Sequence, residues 1–225
     1  MKRSIIITAG GIGTRMGEEV PKQFLLLNNK PVLIHTLEVF HRFDPSAQLI
    51  ITLPQEWVAY WNSIQLEYNS SVAHQVVVGG QHRFDSIQNA LRHCEGEQIG
   101  VHDGVRPLVS LATIQRCFEG LEMSKAVVPV LGLKDSLRQG SFQESRSVDR
   151  AHYFLIHTPQ CFDAQTLKAA YCQGFSPNFT DDASVVESMG IKPVLVQSND
   201  ENIKITRPLD LAIANYILAK RGSKD

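Results

Sequence analysis

The sequence predicts a doubly wound α/β fold with a mostly parallel sheet. Short runs rich in β-branched residues alternate along the chain with segments of helical periodicity, which is typical of repeated strand-helix-strand units. Several of these runs are apolar at consecutive positions, as strands are when helices cover both faces of the sheet. The segments between the runs are long enough for the crossover connections that parallel strands require.

Five strands are predicted from these runs, and each is short and bounded by polar or turn-forming residues. They span 4–8, 48–53, 75–78, 98–102 and 125–130. Because the carboxyl ends of parallel strands lie at one edge of a sheet, the residues that follow them are the first candidates for a binding site.

Three helices have clear signals. Residues 83–94 place Phe84, Ile87, Leu91 and Cys94 at helical spacing, with polar side chains between them. A second helix is predicted after Pro208, a residue suited to a first helical turn. A third is predicted after the Thr-Asp-Asp triplet at 180–182, whose side chains can cap it.

Residues 133–162 break the alternation, because they are polar, turn-rich and only weakly periodic. A Gly-Ser pair at 140–141 lies between two possible strands, so we expect a projecting hairpin. An arm of about 30 residues without its own core is most easily stabilised by packing on another subunit. We therefore expect one domain over 1–225, with 133–162 as a dimerisation arm of a homodimer.

Charge composition limits the partners. The 22 Lys and Arg residues against 23 Asp and Glu residues give a net charge of −1. No global positive field is present to hold a nucleic acid or an anionic membrane, so we expect neither partner. Any anion-binding site has to be local.

Cysteine spacing and hydropathy give the expected compartment. The four cysteines at 94, 117, 161 and 172 contain no C-x-x-C pair, which removes the common zinc and thiol redox spacings. The apolar run near the N-terminus is too short for a signal peptide, and no run reaches the roughly 18 apolar residues of a membrane span. We expect a reduced cytoplasmic compartment.

A glycine-rich segment follows the first strand. Residues 9–17 read Ala-Gly-Gly-Ile-Gly-Thr-Arg-Met-Gly, and Pro21 and Lys22 follow shortly after. Glycines allow successive backbone N–H groups to approach a phosphate chain closely. The candidate backbone contacts are those of Ala9, Gly10, Gly11 and Gly13. Arg15 and Lys22 would add positive charge beside them.

Three phosphate-binding alternatives and one neutral alternative compete for this segment. A dinucleotide fingerprint fails, because methionine stands at the third glycine position and the acidic ribose ligand about 20 residues further on is missing. No window satisfies the Walker A pattern G-x-x-x-x-G-K-[ST]. A nucleoside triphosphate cradle of a different kind remains. The segment could also be a tight turn without a ligand.

Two further candidates follow predicted strands. Gly79 and Gly80 lie between a strand and a helix, so their backbone can form a second patch at the same sheet edge. Ser86, on the helix that follows, is either a base contact or a surface residue. Asp103 follows the fourth strand and is our candidate ligand for Mg²⁺, which prefers one or two carboxylates with substrate phosphates. It could equally initiate a turn before Gly104.

Three charged or polar residues remain open from the sequence alone. His102 is expected to pack or hydrogen-bond rather than to bind a metal, since no second His or Cys stands at metal spacing. Arg106 could pair with a carboxylate or help to hold a second substrate. Lys204, between two isoleucines of a short predicted strand, points into solvent or into a polar site.

The combined motifs resemble the 2-C-methyl-D-erythritol 4-phosphate cytidylyltransferase family. The matching blocks are, in order along the chain, 11–16 (GIGTRM), 21–25 (PKQFL), 30–37 (KPVLIHTL), 79–86 (GGQHRFDS), 101–107 (VHDGVRP), 157–160 (HTPQ), 180–184 (TDDAS) and 202–206 (NIKIT). Each block alone is weak, but their order and spacing over nearly the whole chain form a strong signal.

The resemblance implies roles that the residues alone do not give. Arg15 and Lys22 would stabilise the triphosphate of CTP, and cytosine and ribose would lie near Gly80 and Ser86. Lys204 would be a phosphate ligand. Arg150 would cross the dimer interface to hold the sugar alcohol phosphate in the partner's site.

By the same resemblance, Thr158 would assist Arg150 in holding that phosphate. The implied reaction transfers CMP from CTP to 2-C-methyl-D-erythritol 4-phosphate with Mg²⁺, releasing pyrophosphate. Removal of one such charge donor is expected to abolish turnover without unfolding the chain.

Two departures from the family pattern keep an alternative open. This chain has Gly10 where alanine is common, and Gly104-Val105 where two alanines are common. Both changes move the sequence toward the pentitol 5-phosphate cytidylyltransferases, whose entry loop is similar, so ribitol 5-phosphate is the alternative substrate. The block at 180–184 favours the methylerythritol enzymes, and Ser198 stands where glycine is common. A nicotinamide dehydrogenase and a non-catalytic nucleotide-binding regulator are the rival functions.

Overall fold

The fold is built around a central β-sheet with helices on both faces. This computed structural model describes residues 1–11 and 20–222. The first half contains β1 (Arg3–Thr8), β2 (Leu26–Leu27), β3 (Lys30–Pro31), α1 (Val32–Phe43), β4 (Gln48–Leu53), α2 (Gln55–Glu67), β5 (Gln75–Val78), α3 (Arg83–Leu91) and β6 (Gln98–Asp103). The second half contains α4 (Leu111–Glu119), β7 (Ala126–Gly132), β8 (Leu137–Gly140), β9 (Ser145–Val148), β10 (Phe154–Ile156), β11 (Gln160–Asp163), α5 (Ala164–Ala170), α6 (Asp182–Glu187), β12 (Val194–Gln197) and α7 (Pro208–Gly222).

The sheet is mostly parallel, which confirms the predicted fold class. Strands β6, β1, β4 and β5 lie side by side in parallel, with Ile6 of β1 opposite both Ile50 and Val101. β11 runs antiparallel between β6 and β7. β12 pairs in parallel with β7, and β10 pairs with it antiparallel.

Strand β1 explains why consecutive apolar positions predicted a covered sheet. Ile5 and Ile7 pack into the core on the side of α1, α2 and α4, whereas Ile6 packs against α3, α5 and α6. All three side chains are fully buried. Complete burial of each isoleucine contributes about 1.5–3 kcal/mol relative to exposure, so the strand that precedes the glycine-rich segment is firmly held.

The five predicted strands are all present, with small differences at their ends. β4 and β5 have the predicted bounds, whereas β6 extends one residue further, to Asp103, and β7 spans Ala126–Gly132. α3 ends at Leu91 rather than at residue 94, because His93 and Cys94 donate to carbonyls three residues back and tighten the last turn. The short strand expected around residue 204 is absent, although Ile205 N donates to Val105 O at 3.0 Å.

The predicted hairpin is formed by β8 and β9, with Leu137 opposite Val148 and Gly140 opposite Ser145. Gly140 has φ 137°, a conformation that favours glycine. The expected arm boundary at residue 162 is wrong, because β10 and β11 belong to the central sheet. Cys161 and Phe162 are fully buried there, so the part of 133–162 outside the sheet ends before β10.

The predicted starts of the last two helices are confirmed. Asp181 accepts from Ser184 N at 2.9 Å and caps α6, while Ser184 Oγ accepts from the Asp181 backbone. α7 begins at Pro208, as predicted. Among residues 1–11 and 20–222, no helix is both long and apolar enough to cross a membrane.

Candidate functional site

A cavity of about 290 Å³ lies at the carboxyl ends of β1, β4, β5 and β6. This is the edge at which open α/β sheets bind ligands. Predicted site residues line it from four separate segments: Ala9, Gly10, Gly11, Lys22, Gly80, Ser86, Asp103 and Lys204. The fold therefore brings most of the sequence-derived candidates together.

The first wall of the cavity is the start of the glycine-rich segment. Ala9 N donates to Thr52 O at 3.0 Å, which continues the β1–β4 pairing by one residue. A Cβ on Gly10 would meet no atom of the described residues within 4 Å, so this side of Gly10 is open within that part of the chain. A Cβ on Gly11 would lie 3.4 Å from Lys22 Cε and 3.8 Å from Lys22 Nζ. The Lys22 ammonium group therefore lies beside the glycine backbone, as a phosphate cradle requires.

Two predicted members of this wall, Gly13 and Arg15, lie outside the described residues. Their assignment stays a prediction from the sequence. Within the described part of the segment, Lys22 supplies the positive charge of this wall.

The second wall is the loop between β5 and α3. Ser86 Oγ accepts from Gly80 N at 3.0 Å and donates to His82 O at 3.1 Å. A Cβ on Gly80 would lie 2.2 Å from Asp85 Cβ, so packing against α3 alone requires glycine here. Ser86 therefore shapes the loop, and its oxygen can still accept one further hydrogen bond.

Two cavity-lining side chains that the sequence did not single out carry buried polar atoms without a partner in the described residues. Gln23 Nε2 donates to Ala9 O at 2.7 Å, which leaves Gln23 Oε1 as a buried acceptor. Thr52 Oγ1 is the other such atom. Buried polar atoms normally have a hydrogen-bond partner, and neither atom has one among the described residues.

Asp103 is surrounded by cations. Its Oδ2 lies 3.1 Å from Arg106 Nε and 3.1 Å from Lys204 Nζ, and its Oδ1 lies 3.9 Å from Arg83 Nε. Burial alone would raise the pKa of Asp103, but the charges of Arg83, Lys204 and Arg106 outweigh it and hold the pKa well below its usual range. Arg106 is buried behind the cavity and also donates to Asn202 O at 2.7 Å. Of its two predicted roles, the structure supports pairing with a carboxylate.

His102 and Thr158 hold Asp103 from behind. Burial lowers the pKa of His102 to about 4, so its imidazole is neutral at pH 7. Its Nε2 lies 3.1 Å from Arg106 O, an acceptor, and therefore carries the proton. Thr158 Oγ1 then donates to Nδ1 at 3.0 Å and accepts from Asp103 N at 3.1 Å. His102 is a hydrogen-bonding residue, as expected.

Thr158 forms hydrogen bonds within its own chain. It is only 6% exposed, and its hydroxyl is engaged by His102 and Asp103 of the same chain. It is not among the residues that line the cavity. The hydroxyl accepts from the backbone N–H of Asp103 and donates to the imidazole of His102.

Arg150 lies away from the cavity in its own chain. It begins a short 3-10 turn after the β8–β9 hairpin, is exposed, and donates to Lys134 O. Arg150 is not among the described residues that line the cavity of its own chain.

Asp103 is the predicted metal ligand, and it lines the cavity. No group of three or more His, Cys, Asp or Glu side chains that could hold a metal ion occurs within 1–11 and 20–222. Asp103 Oδ2 is already paired with two cations, whereas among the described residues Oδ1 has no hydrogen-bond donor at bonding distance. A hard cation could therefore use Oδ1 if phosphates and water supplied its other ligands.

Comparisons with known proteins agree with this geometry. Residues 4–220 match the family described as 2-C-methyl-D-erythritol 4-phosphate cytidylyltransferase. A relative of that description from Bacteroides thetaiotaomicron is 49% identical over 219 residues, which cover 97% of this chain and 100% of the relative. Another, from Porphyromonas gingivalis, is 46% identical and covers 96% of this chain and 98% of its own. The crystal structure of the Thermus thermophilus enzyme aligns with a TM-score of 0.80 at 29% identity, covering 97% of this chain and 100% of that one.

Proposed function

The chain belongs to the 2-C-methyl-D-erythritol 4-phosphate cytidylyltransferase family, and on that basis we propose how its cavity carries out the family reaction. The protein transfers CMP from CTP to 2-C-methyl-D-erythritol 4-phosphate, forming 4-CDP-2-C-methyl-D-erythritol and releasing pyrophosphate. The match over residues 4–220 carries this conclusion.

The rival functions are not favoured. The relatives that match nearly the full chain are described as methylerythritol phosphate enzymes, not as pentitol phosphate enzymes. The same matches make the chain a nucleotidyltransferase rather than a dehydrogenase or a non-catalytic regulator.

We place the nucleotide against the two walls of the cavity. The triphosphate lies against the backbone of Ala9, Gly10 and Gly11, with Lys22 Nζ beside it. Gly13 and Arg15 extend this contact in the proposal. The cytosine and ribose lie toward Gly80 and Ser86, where the free lone pair of Ser86 Oγ can accept from a base N–H group.

Bond formation needs no protein nucleophile. Because the second pKa of a phosphate monoester is about 6, the attacking phosphate is ionised at pH 7. Its oxygen attacks the α-phosphorus of CTP in line with the departing pyrophosphate. Lys22 and Arg15 stabilise the charge that develops on the phosphates, and Lys204 leaves Asp103 Oδ2 to orient the attacking phosphate. Catalysis is then positioning and charge stabilisation.

The proposal includes Mg²⁺ as the divalent cation that accompanies CTP. Asp103 Oδ1 would be its protein contact, directly or through water, and the CTP phosphates would supply the other oxygen ligands. When bound, it would neutralise part of the triphosphate charge.

A homodimer completes the site in this proposal. The β8–β9 hairpin projects from the sheet without a core of its own, and the neighbouring β10 exposes Phe154, Leu155 and Ile156. Contiguous exposed apolar side chains of this kind mark an interface. Arg150, which follows the hairpin, would reach the sugar alcohol phosphate in the partner's cavity. Thr158 would contribute indirectly, through the backbone of Asp103.

Arg150→Ala is expected to lower turnover by about 100-fold, because one phosphate contact is lost. If Arg150 acts across the interface, mixing Arg150→Ala with Lys22→Ala protein restores activity. At an equal ratio, half of the dimers are mixed and each has one intact site, so about a quarter of wild-type activity returns. If the two variants form mixed dimers but activity does not return, Arg150 does not act in the partner's site.

We also place the protein in the cytoplasm, where CTP is available. All four cysteines are free, as is typical of a reducing compartment.

The function is tested by pyrophosphate release from CTP and Mg²⁺, with 2-C-methyl-D-erythritol 4-phosphate and ribitol 5-phosphate in separate assays. Turnover with the former alone is expected. Turnover with ribitol 5-phosphate alone would move the enzyme to the pentitol group while keeping the nucleotide site.

A further inference from the structure

A fully buried carboxylate lies directly behind the cavity. Asp182, at the start of α6, is 0% exposed. Arg83, at the start of α3, donates to both of its oxygens: Nη1 to Oδ1 at 2.8 Å and Nη2 to Oδ2 at 2.7 Å. Two parallel charged hydrogen bonds of this kind are stronger than neutral ones and fix the plane of the guanidinium group.

A third donor fixes the carboxylate itself. Tyr171 Oη donates to Asp182 Oδ1 at 2.6 Å, and the tyrosine is only 2% exposed. Burial, together with the adjacent Asp182 carboxylate, raises the pKa of Tyr171 well above its usual value. The hydroxyl therefore keeps its proton and remains a donor throughout the neutral pH range.

The remaining edge of Arg83 faces the cavity. Its side chain is 36% exposed, and Nε lies 3.9 Å from Asp103 Oδ1, beyond hydrogen-bond distance. Arg83 therefore connects the buried Asp182 with the carboxylate that lines the site. The two Nη atoms that could compete for Asp103 or for a phosphate are held by Asp182.

The charges around this connection divide into pairs. Asp182 is matched by Arg83, and Asp103 is matched by Arg106, which is buried and cannot leave. Lys204 shares Asp103 Oδ2 with Arg106 and has a side chain that is 42% exposed. Lys204 can therefore turn to an incoming phosphate without leaving a buried carboxylate unmatched. These pairings require that Asp182 hold Arg83 away from Asp103.

We propose that Asp182, supported by Tyr171, is a positioning residue of the reaction: by holding the guanidinium group of Arg83, it keeps Arg83 from competing with Lys204 for the attacking phosphate. This rests on the role of Lys204 proposed above. Without the Asp182 charge, Arg83 can turn toward Asp103 or toward the triphosphate. The cavity then gains positive charge but loses the alignment of the two substrates.

Asp182→Asn is therefore expected to lower kcat by about 10 to 100-fold, the cost of a misplaced reacting group, while the KM for CTP does not rise. Asp182→Glu keeps the charge and should recover most of kcat. Arg83→Lys keeps the positive charge but cannot bind both Asp182 oxygens through a fork, so it should show the same selective fall in kcat. It supplies a second test if Asp182→Asn does not fold.

The matched control is Asp181→Ala, which removes the cap of the same helix but keeps the Asp182 carboxylate. It should lower Tm and leave kcat within about threefold of wild type. Equal losses of kcat in the Asp181 and Asp182 variants would overturn the proposal, because they would assign the effect to α6 as a whole. So would a folded Asp182→Asn or Arg83→Lys enzyme with wild-type kcat. Wild-type turnover tests the reaction itself, whereas the ratio of variant to wild type tests the positioning role.

Discussion

Replacing Lys22 with alanine is expected to lower kcat by about 100 to 1,000-fold, the usual effect of removing one group that stabilises transition-state charge. The side chain lies over Gly11, where the triphosphate is proposed to bind, and it is the described cation on that wall of the cavity. The fold should survive, because the neighbouring Gln23 and Phe24 supply the buried contacts of this turn. Pyrophosphate release measures the loss, and circular dichroism checks the fold.

Lys30→Ala is the matched control. Lys30 lies eight residues further on, and its ammonium group pairs with Glu38 at 2.7 Å rather than facing the cavity. Turnover should remain close to wild type. A folded Lys22→Ala protein that turns over as fast as Lys30→Ala would remove Lys22 from the mechanism.

Replacing Asp103 with asparagine is expected to affect both turnover and stability. The change removes the negative charge that matches Arg106 and Lys204, and turnover should fall by about 100-fold or more. Because Arg106 is buried and loses its carboxylate, the free energy of unfolding should fall by about 3 kcal/mol. Denaturant unfolding at pH 7 measures this difference.

The stabilising effect of the Asp103 carboxylate is expected to disappear in acid. The pKa of Asp103 is lower in the folded protein than in the unfolded chain, so its stabilising effect is complete above about pH 4 and is lost as the pH falls below that value. The stability difference between wild type and Asp103→Asn should be constant from about pH 5 to 8 and should narrow in acid. Asp200→Asn, in an exposed ion pair with Lys134, is the control and should leave stability nearly unchanged. A difference that widens in acid would contradict this assignment.

Much of the fold was predictable because a strand covered on both faces is apolar at consecutive positions, as β1 is at 5–7 and β4 is at 49–51. β11 was not predictable in this way. Its four residues include polar Gln160 and Asp163, and they follow directly on the polar arm. What places β11 in the sheet is the space between β6 and β7, which Cys161 and Phe162 fill. Such a long-range constraint leaves no local periodicity.

The site was predictable where a motif follows a strand, as at Ala9–Gly11, Gly80 and Asp103. Its electrostatics were not. Arg83 and Asp182 both lay within quoted motifs, but they are 99 positions apart, and nothing in their spacing shows that they pair. For Thr158, the resemblance implied a contact with a ligand. The structure adds what the sequence could not show, that this side chain is buried and hydrogen-bonds to the backbone of Asp103.

Stereochemistry at the α-phosphorus tests the central claim that cations align two anions for direct transfer. One diastereomer of CTP sulfur-substituted at the α-phosphate would be reacted with 2-C-methyl-D-erythritol 4-phosphate, and the product configuration determined by ³¹P NMR. Direct in-line attack predicts inversion. Net retention would require two displacements through a nucleotide bound covalently to the protein, and would contradict the account.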